Sequence, residues 1–175
     1  VIADTNLSES ALAYLVKSGA ANPLIVDAVS ITKAVRIKPH LGYVHTLKAN
    51  LLEAEVLCGI KPSACGTYLE MAQWFHDSGV KRIFITLGPQ GVFYSDAYDH
   101  GIVESRLKSP VINASGAGDA FVAAGAFAWF DEQEIKATAE FAISAANVAL
   151  SHSATINPDM SVSTVNEIRS NEYGE

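Results

Sequence analysis

The chain has 175 residues, of which 49% are hydrophobic, and its formal net charge is −7. This length and composition predict a folded chain with a sizeable core and exclude a largely disordered protein. The acidic balance and the lack of any basic block argue against a nucleic-acid-binding surface. The longest apolar run, 120–130, is far shorter than the roughly 20 residues that a membrane-spanning helix needs.

Short apolar strands alternate with amphipathic helices along the chain. The predicted strands cover residues 1–4, 23–27, 45–47, 82–86, 92–94 and 103–107. The predicted helices cover 6–18 (capped by Asn6 or Ser8), 32–41, 50–58, 63–78, 118–130 and 134–151. The turn 88–91 is expected to close a hairpin, and the polar tail from Asn166 is expected to fray. This alternation predicts an α/β fold, a three-layer αβα sandwich around a mostly parallel sheet.

Cysteine usage and the start of the chain bear on where the protein resides. Cys58 and Cys65 have no paired His or Cys nearby, so we interpret them as reduced, mostly buried thiols. Together with the absence of a signal peptide and of a membrane segment, this predicts a cytoplasmic protein. The chain begins at Val1 and runs directly into a strand, so we expect it to be part of a longer polypeptide.

The segment 113–121 places a Gly-Ala-Gly turn directly before a carboxylate at the start of a long apolar helix. Gly116, Ala117 and Gly118 allow the backbone to curl so that its N–H groups face one point. The helix start adds unpaired N–H groups and the positive end of the helix dipole, which together predict an anion site. Asp119 places a proton acceptor beside that anion. An anion site next to a base is what phosphoryl transfer to a hydroxyl requires.

Other polar residues follow the ends of predicted strands. They are Asp27, Lys48, Asn50 and Thr86. In parallel sheets ligands bind at the carboxyl ends of the strands, so we expect these residues and the turn 113–119 to converge at one edge. Asn50 and Glu53 also have the spacing of a helix capping box. The role of Asp27, as support for the site or as a cap of the core, stays open.

Three other phosphate- or nucleophile-centred motifs are excluded by single residues. A dinucleotide fingerprint counted from Gly116 needs glycine at its sixth position, where Phe121 stands. A P-loop needs a Gly-Lys pair, which the chain lacks. A nucleophile elbow needs glycine two residues before the serine, and Asn113 precedes Ser115.

Three segments in this order, Asn50-Leu51-Leu52-Glu53, 86–91 and 113–119, resemble motifs of the PfkB, or ribokinase-like, carbohydrate kinases. Within that family, the segments 27–30, 45–50 and 155–158 are similar to those of pseudouridine kinases. Ala28 and Ala49 stand where those relatives have proline, so the φ angle that proline would fix is free at both positions. The resemblance covers only the later portion of such a kinase, without its N-terminal part and lid.

The resemblance implies an ATP-dependent phosphotransferase acting on the 5′-hydroxyl of a nucleoside or sugar, with pseudouridine as the expected acceptor. It implies that Asp119 is the general base and that Gly116, Ala117 and Gly118 bind the transferred phosphoryl group. The implied nucleotide-binding residues are Lys48, Asn50, Thr86, Gly88, Gly91 and Asn147. Glu53 would act on Mg²⁺ through water. Asn113 and Ser115 lie where many relatives hold a monovalent cation such as K⁺, although the neutral amide attracts an ion less than a carboxylate does.

The chain is thus expected to be a single nucleotide-binding and catalytic portion, 1–175, of a PfkB-type kinase. Its expected partners are a small nucleoside or sugar and a second copy that pairs through the lid missing here. Neither a nucleic-acid polymer nor a membrane is expected. The alternative is a truncated or degenerate kinase segment that binds nucleotide, or a protein partner, without catalysis.

Overall fold

The computed structural model describes residues 1–18, 22–62, 67–107 and 110–174. The chain divides into two compact units, the first formed by 1–88 and 93–102 and the second by 89–92 and 103–175. Cys65 and the first residues of the predicted helix 63–78 lie outside the described residues. No helix in the described ranges has the length and apolar character needed to cross a bilayer.

A six-stranded sheet, with the strands adjacent in sequence order, lies in the first unit except for one end residue each of its last two strands. The strands are β1 (Ile2–Asp4), β2 (Ile25–Asp27), β3 (Thr46–Asn50), β4 (Arg82–Thr86), β5 (Val92–Ser95) and β6 (His100–Val103). Strands β1 to β4 are parallel, with Asp27 opposite Lys48 and Asn50 opposite Thr86. The connection from β4 to its neighbour β5 is far too short for a parallel crossover. The α/β class and the largely parallel sheet are therefore confirmed.

Helices connect the strands of the first unit and cover its sheet. They are α1 (Glu9–Ser18), α2 (Ile31–Ala34), α3 (Leu51–Cys58) and α4 (Thr67–Asp77). Because parallel crossovers are right-handed and the strands follow one another in order, these helices lie on one face of the sheet. Leu12 and Phe75 from the helices are fully buried with Val26, Leu47 and Ile83 from the strands. That apolar layer is the core that holds the strand ends in register.

Two predicted elements have different limits from those expected. The helix predicted over 32–41 is α-helical only to Ala34 and continues as a 3₁₀ helix over Val35–Tyr43. Pro39 explains the change, because it has no N–H to donate and its ring crowds the carbonyl four residues earlier. The strand predicted over 103–107 is wrong apart from its first residue, because β6 covers His100–Val103 and residues 104–107 are not in a strand.

Three helices form most of the second unit: α5 (Ala117–Phe130), α6 (Ile135–Leu150) and α7 (Val162–Tyr173). Small residues bring α5 and α6 close together, since a Cβ atom on Gly125 would lie 3.9 Å from Cβ of Ala142. Phe127 stacks on Phe141 with ring centroids 5.7 Å apart. This pairing fixes α5, whose first turn carries the predicted anion site.

The tail that was expected to fray is instead helix α7, and its last turn is anchored. Glu172 is buried, and its carboxylate accepts hydrogen bonds from Nδ2 of Asn147 at 3.3 and 3.2 Å. The Arg106 guanidinium donates to the Glu172 carbonyl and lies over the Tyr173 ring, 5.2 Å from its centroid. The Tyr173 hydroxyl donates to the Glu104 carbonyl at 2.8 Å. These contacts are long-range in sequence, so local polarity does not reveal them.

Tyr173 makes the docking of α7 sensitive to alkaline pH. Burial and the Glu172 carboxylate raise its pKa to about 12, while an exposed tyrosine in the unfolded chain ionises near pH 10. The stability that the neutral phenol contributes is therefore complete below about pH 10 and is lost between about 10 and 12.

We expect Tyr173→Phe to lower the free energy of unfolding by about 1 kcal/mol at neutral pH, since it removes one hydrogen bond. The variant should also lose less stability than the wild type as the pH rises above 10. Urea unfolding between pH 8 and 11 measures both effects. Tyr98→Phe, at a position 97% exposed, is the control that should change neither. An unchanged alkaline slope in Tyr173→Phe would contradict the assignment.

Candidate functional site

A buried ion pair joins the carboxyl ends of β2 and β3. Lys48 Nζ donates to both carboxylate oxygens of Asp27, at 3.0 and 3.2 Å, and the two side chains are only 11% and 8% exposed. The pair follows from the register, which sets the two residues opposite each other on neighbouring parallel strands. Asp27 therefore balances the charge of Lys48, whatever further role it has.

The loop after Asp27 is held by hydrogen bonds where a proline is expected in similar kinases. Ala28 donates its N–H to the Lys48 carbonyl at 3.0 Å, a bond that proline could not form. The Thr5 hydroxyl donates to the Ala28 carbonyl, and Asp27 accepts the N–H of Val29 at 3.1 Å. Val29 has φ 57°, a left-handed conformation that is costly for a β-branched residue. Alanine lacks the ring that would fix φ, but its backbone N–H donates a hydrogen bond that proline cannot donate, and this bond holds the loop.

Asn50 and Glu53 form a complete capping box at the start of α3. The Asn50 side chain accepts the Glu53 N–H at 2.9 Å, while the Glu53 carboxylate accepts the Asn50 backbone N–H at 2.8 Å. A further bond runs from Nδ2 of Asn50 to the carboxylate at 2.7 Å. Burial raises the pKa of Glu53, opposed by the bond from Asn50 and by the charge of Lys48.

The Glu53 carboxylate fits an indirect role towards Mg²⁺. Each oxygen already accepts one hydrogen bond and keeps a further lone pair. The side chain is 2% exposed, so direct ligation would require the cap to open, whereas a metal-bound water can donate to it. Among the described residues, no group of three or more His, Cys, Asp or Glu could hold a metal ion by itself.

Replacing Glu53 by glutamine tests the cap and its titration together. We expect a cost of about 1–2 kcal/mol near pH 7, because the amide cannot accept both bonds from Asn50. Because the folded-state pKa of Glu53 is raised, its protonated form favours the fold. That contribution is complete below the unfolded pKa and is lost as pH rises through the folded one.

The free energy of unfolding of the wild type should therefore exceed that of Glu53→Gln by a growing amount as the pH falls. Chemical unfolding measured from pH 7 to pH 4 gives this difference, with Glu55→Gln on the same helix as the control. A difference that stays constant over this range would contradict the raised pKa.

The predicted nucleotide-side residues 86–91 divide between the two units. In the first unit, Thr86 ends β4 opposite Asn50, and Gly88 follows with φ +61° in an exposed position. In the second unit, Gly91 has φ +113°, and a Cβ atom there would lie 2.0 Å from the Val103 carbonyl oxygen. Glycine is required at 91 by this packing, whatever else the turn binds.

In the second unit, the glycine turn leads into α5 without a side-chain cap. Gly116 is left-handed, with φ +84°, and a Cβ atom there would lie 2.3 Å from the Thr155 carbonyl oxygen. The first intrahelical bond runs from Ala120 N–H to the Gly116 carbonyl, so the N–H groups of residues 117–119 precede it. Asp119 lies in this first turn and is exposed. The turn therefore presents donors and a carboxylate together, and the binding of an anion there stays a prediction.

Two other predicted site residues of this unit are engaged in hydrogen bonds. Asn113 accepts the Ser115 N–H and donates to the Ser153 carbonyl, both at 2.9 Å. Asn147 is buried and donates to Glu172, so its place in a nucleotide site stays a prediction. The contacts of Ser153 and Thr155 with the turn were not predicted, although the segment 155–158, which includes Thr155, was noted for its similarity to pseudouridine kinases.

Comparison with known proteins gives consistent matches over most of the chain. The model of the pfkB family of carbohydrate kinases matches residues 4–161. The pseudouridine kinase of Escherichia coli (strain K12) is 40% identical over 165 residues, 94% of this chain and 53% of that protein. A crystal structure of a Clostridium perfringens protein described as a candidate sugar kinase matches with TM-score 0.92 and 31% identity, covering 97% of this chain and 54% of its own.

The Arabidopsis thaliana ribokinase, solved with ribose and ATP, has a TM-score of 0.86 at 20% identity. Its match covers 97% of this chain and 55% of the ribokinase chain. The chain thus spans about half the length of the relatives it matches.

Proposed function

The chain belongs to the pfkB family of carbohydrate kinases, and we propose that it carries the nucleotide-binding and proton-accepting portion of an ATP-dependent kinase. The proposed reaction transfers the γ-phosphoryl group of ATP to the 5′-hydroxyl of a nucleoside or sugar, with pseudouridine as the acceptor. The 40% identity to a pseudouridine kinase supports this choice of acceptor.

The start of α5 is the observation that carries the proposal. The proposed anion site is formed by the N–H groups of Gly116, Ala117 and Gly118, and the uncapped first turn adds that of Asp119, with the dipole of the helix behind them. In phosphoryl transfer, charge develops on the oxygens of the moving group, and fixed donors stabilise that charge in the transition state. The exposed Asp119 carboxylate can accept the proton of the attacking hydroxyl. Consecutive residues would thus supply both the hydrogen-bond donors and the base.

The strand ends of the first unit are proposed to serve the nucleotide. Asp27 takes two N–H bonds of the Lys48 ammonium, and the third can reach a phosphate oxygen. Asn50 and Glu53 would act near the phosphates, Glu53 through water on Mg²⁺, and the ion would neutralise phosphate charge when bound. The remaining proposed contacts are Thr86, Gly88, Gly91 and Asn147.

The proposal is tested by ATP-dependent phosphorylation of pseudouridine, uridine, adenosine and ribose. We expect transfer to pseudouridine, with the highest kcat/KM of the four, and no transfer without Mg²⁺. Transfer only to ribose would support the kinase class and overturn the acceptor. ATP hydrolysis or binding without transfer to any acceptor would overturn the proposed reaction.

The second candidate function is that of a kinase-like segment without catalytic activity. A segment of this kind could bind nucleotide, or a protein partner, without catalysis. The intact mass of the natural polypeptide, measured with the phosphorylation assay, separates the two. A mass well above 18.6 kDa with transfer supports the kinase. A mass of 18.6 kDa, ATP binding and no transfer supports the non-catalytic segment.

A further inference from the structure

The glycine turn of the second unit is connected to the loop after α6 by one side chain. Asn113 donates from Nδ2 to the Ser153 carbonyl oxygen at 2.9 Å and accepts the Ser115 N–H on Oδ1 at 2.9 Å. Close packing joins the same two segments at Gly116 and Thr155. The far end of the loop is anchored to α6, because the buried Asn157 donates to the Val148 carbonyl at 2.9 Å. Turn and loop therefore form one packed arrangement.

The two bonds determine which way the Asn113 amide faces. A backbone N–H only donates, so the atom that faces Ser115 must be the amide oxygen. A backbone carbonyl only accepts, so the atom that faces Ser153 must be the NH₂ group. The positive end of the amide dipole thus faces the carbonyl oxygen, and rotating the group would place like ends together at both contacts.

We propose that Asn113 makes the glycine turn independent of a monovalent cation. A K⁺ ion at this place would bind carbonyl and side-chain oxygens, yet the group that faces the Ser153 carbonyl is itself an N–H donor. An ion bound between this carbonyl and the Asn113 side chain would take the place of the N–H donor, so the amide would have to rotate to turn Oδ1 towards the ion. That rotation would also break the bond to Ser115. The residues therefore do not fit a resident cation, and the Asn113 amide joins the glycine turn to the loop after α6 instead.

Asn113→Asp should create the requirement that the wild type lacks. The carboxylate can still accept the Ser115 N–H, but its other oxygen then faces the Ser153 carbonyl with no hydrogen between them. Two oxygens that repel each other beside a closely packed turn are a good pair of ligands for a cation. The substitution changes no heavy-atom count in the side chain and no apolar burial, so its effect is electrostatic.

The experiment compares thermal unfolding in potassium chloride and in tetramethylammonium chloride at equal ionic strength, for wild type, Asn113→Asp and Asn166→Asp. The last variant adds the same charge at an exposed position on α7. We expect equal Tm values in both salts for wild type and Asn166→Asp. For Asn113→Asp we expect a Tm lower by about 2–4 °C in tetramethylammonium than in K⁺, which restores it. Thallium-205 NMR, with Tl⁺ in place of K⁺, should detect a bound ion only in Asn113→Asp.

A wild-type Tm that rises in K⁺ but not in tetramethylammonium, or Tl⁺ bound to the wild type, would overturn the proposal. If Asn113→Asp fails to fold, Asn113→Ala removes the bond without adding charge, and its Tm should fall equally in both salts. These experiments measure unfolding and ion binding, so their outcome does not depend on whether the chain transfers phosphoryl groups.

Discussion

Asp119→Asn is expected to lower kcat by about 10²–10⁴-fold, the usual contribution of a positioned general base. The amide has the size of the carboxylate but cannot accept the proton of the attacking hydroxyl. Because Asp119 is exposed, the substitution should leave the fold intact. The N–H groups of Ala117 and Gly118 are unchanged, so nucleotide binding should be nearly preserved. Initial rates with pseudouridine and ATP, together with ATP titration calorimetry, measure the two quantities separately.

Asp131→Asn is the matched control, because Asp131 is an exposed acid that follows the last residue of the same helix. It removes the same charge from the opposite end of α5 and should leave kcat unchanged. If Asp119→Asn retains near-normal turnover while binding ATP, the carboxylate is not the base and the proposed mechanism is wrong. If both variants lose activity equally, the effect of Asp119 is one of overall charge rather than of proton transfer.

The parts of the fold that are set by local chemistry were predictable from the sequence. Asn50 and Glu53 cap α3 as their spacing predicts, and α5 and α6 lie within one or two residues of their expected ranges. The apolar strand 82–86 is reproduced with the same limits. These elements depend on side chains within about one turn of each other, so pattern and capping are sufficient.

Elements whose limits depend on distant residues were not predictable in the same way. Helix α7 looks like a polar tail because its anchor, Glu172, finds its partner Asn147 only after α6 and α7 have packed. His100 and Gly101 begin β6 although neither is a strong strand former, since the hairpin with β5 positions them. Contacts between elements, the packing of α7 on α6 and the pairing of β6 with β5, override local propensity at both places.

The candidate site shows the same division. The glycine turn and Asp119 were predicted because a left-handed glycine and a helix start are local features. Lys48 was predicted as a lone strand-end cation, but its ion pair with Asp27 depends on the register of two strands. The bond from Asn113 to Ser153 joins residues that are far apart in sequence, so composition gave no sign of it.

Lys48→Met should lower the free energy of unfolding by about 3–5 kcal/mol, since it leaves the buried Asp27 carboxylate without its counter-charge. That is a large part of the roughly 5–15 kcal/mol that a domain has in total. Urea unfolding measures the cost, and Lys81→Met, at an exposed position just before β4, is the control that should change little. A cost below about 1 kcal/mol would mean that the pair behaves like a solvent-exposed one.

The double variant Asp27→Asn/Lys48→Met separates the structural from the functional part of Lys48. It removes both charges, while the amide oxygen introduced at position 27 can still accept the Val29 N–H, so most of the lost stability should return. ATP affinity should nevertheless stay below that of the wild type, because no ammonium is left to reach a phosphate oxygen. Wild-type ATP affinity in a restored double variant would remove Lys48 from the nucleotide site and leave it as the partner of Asp27 alone.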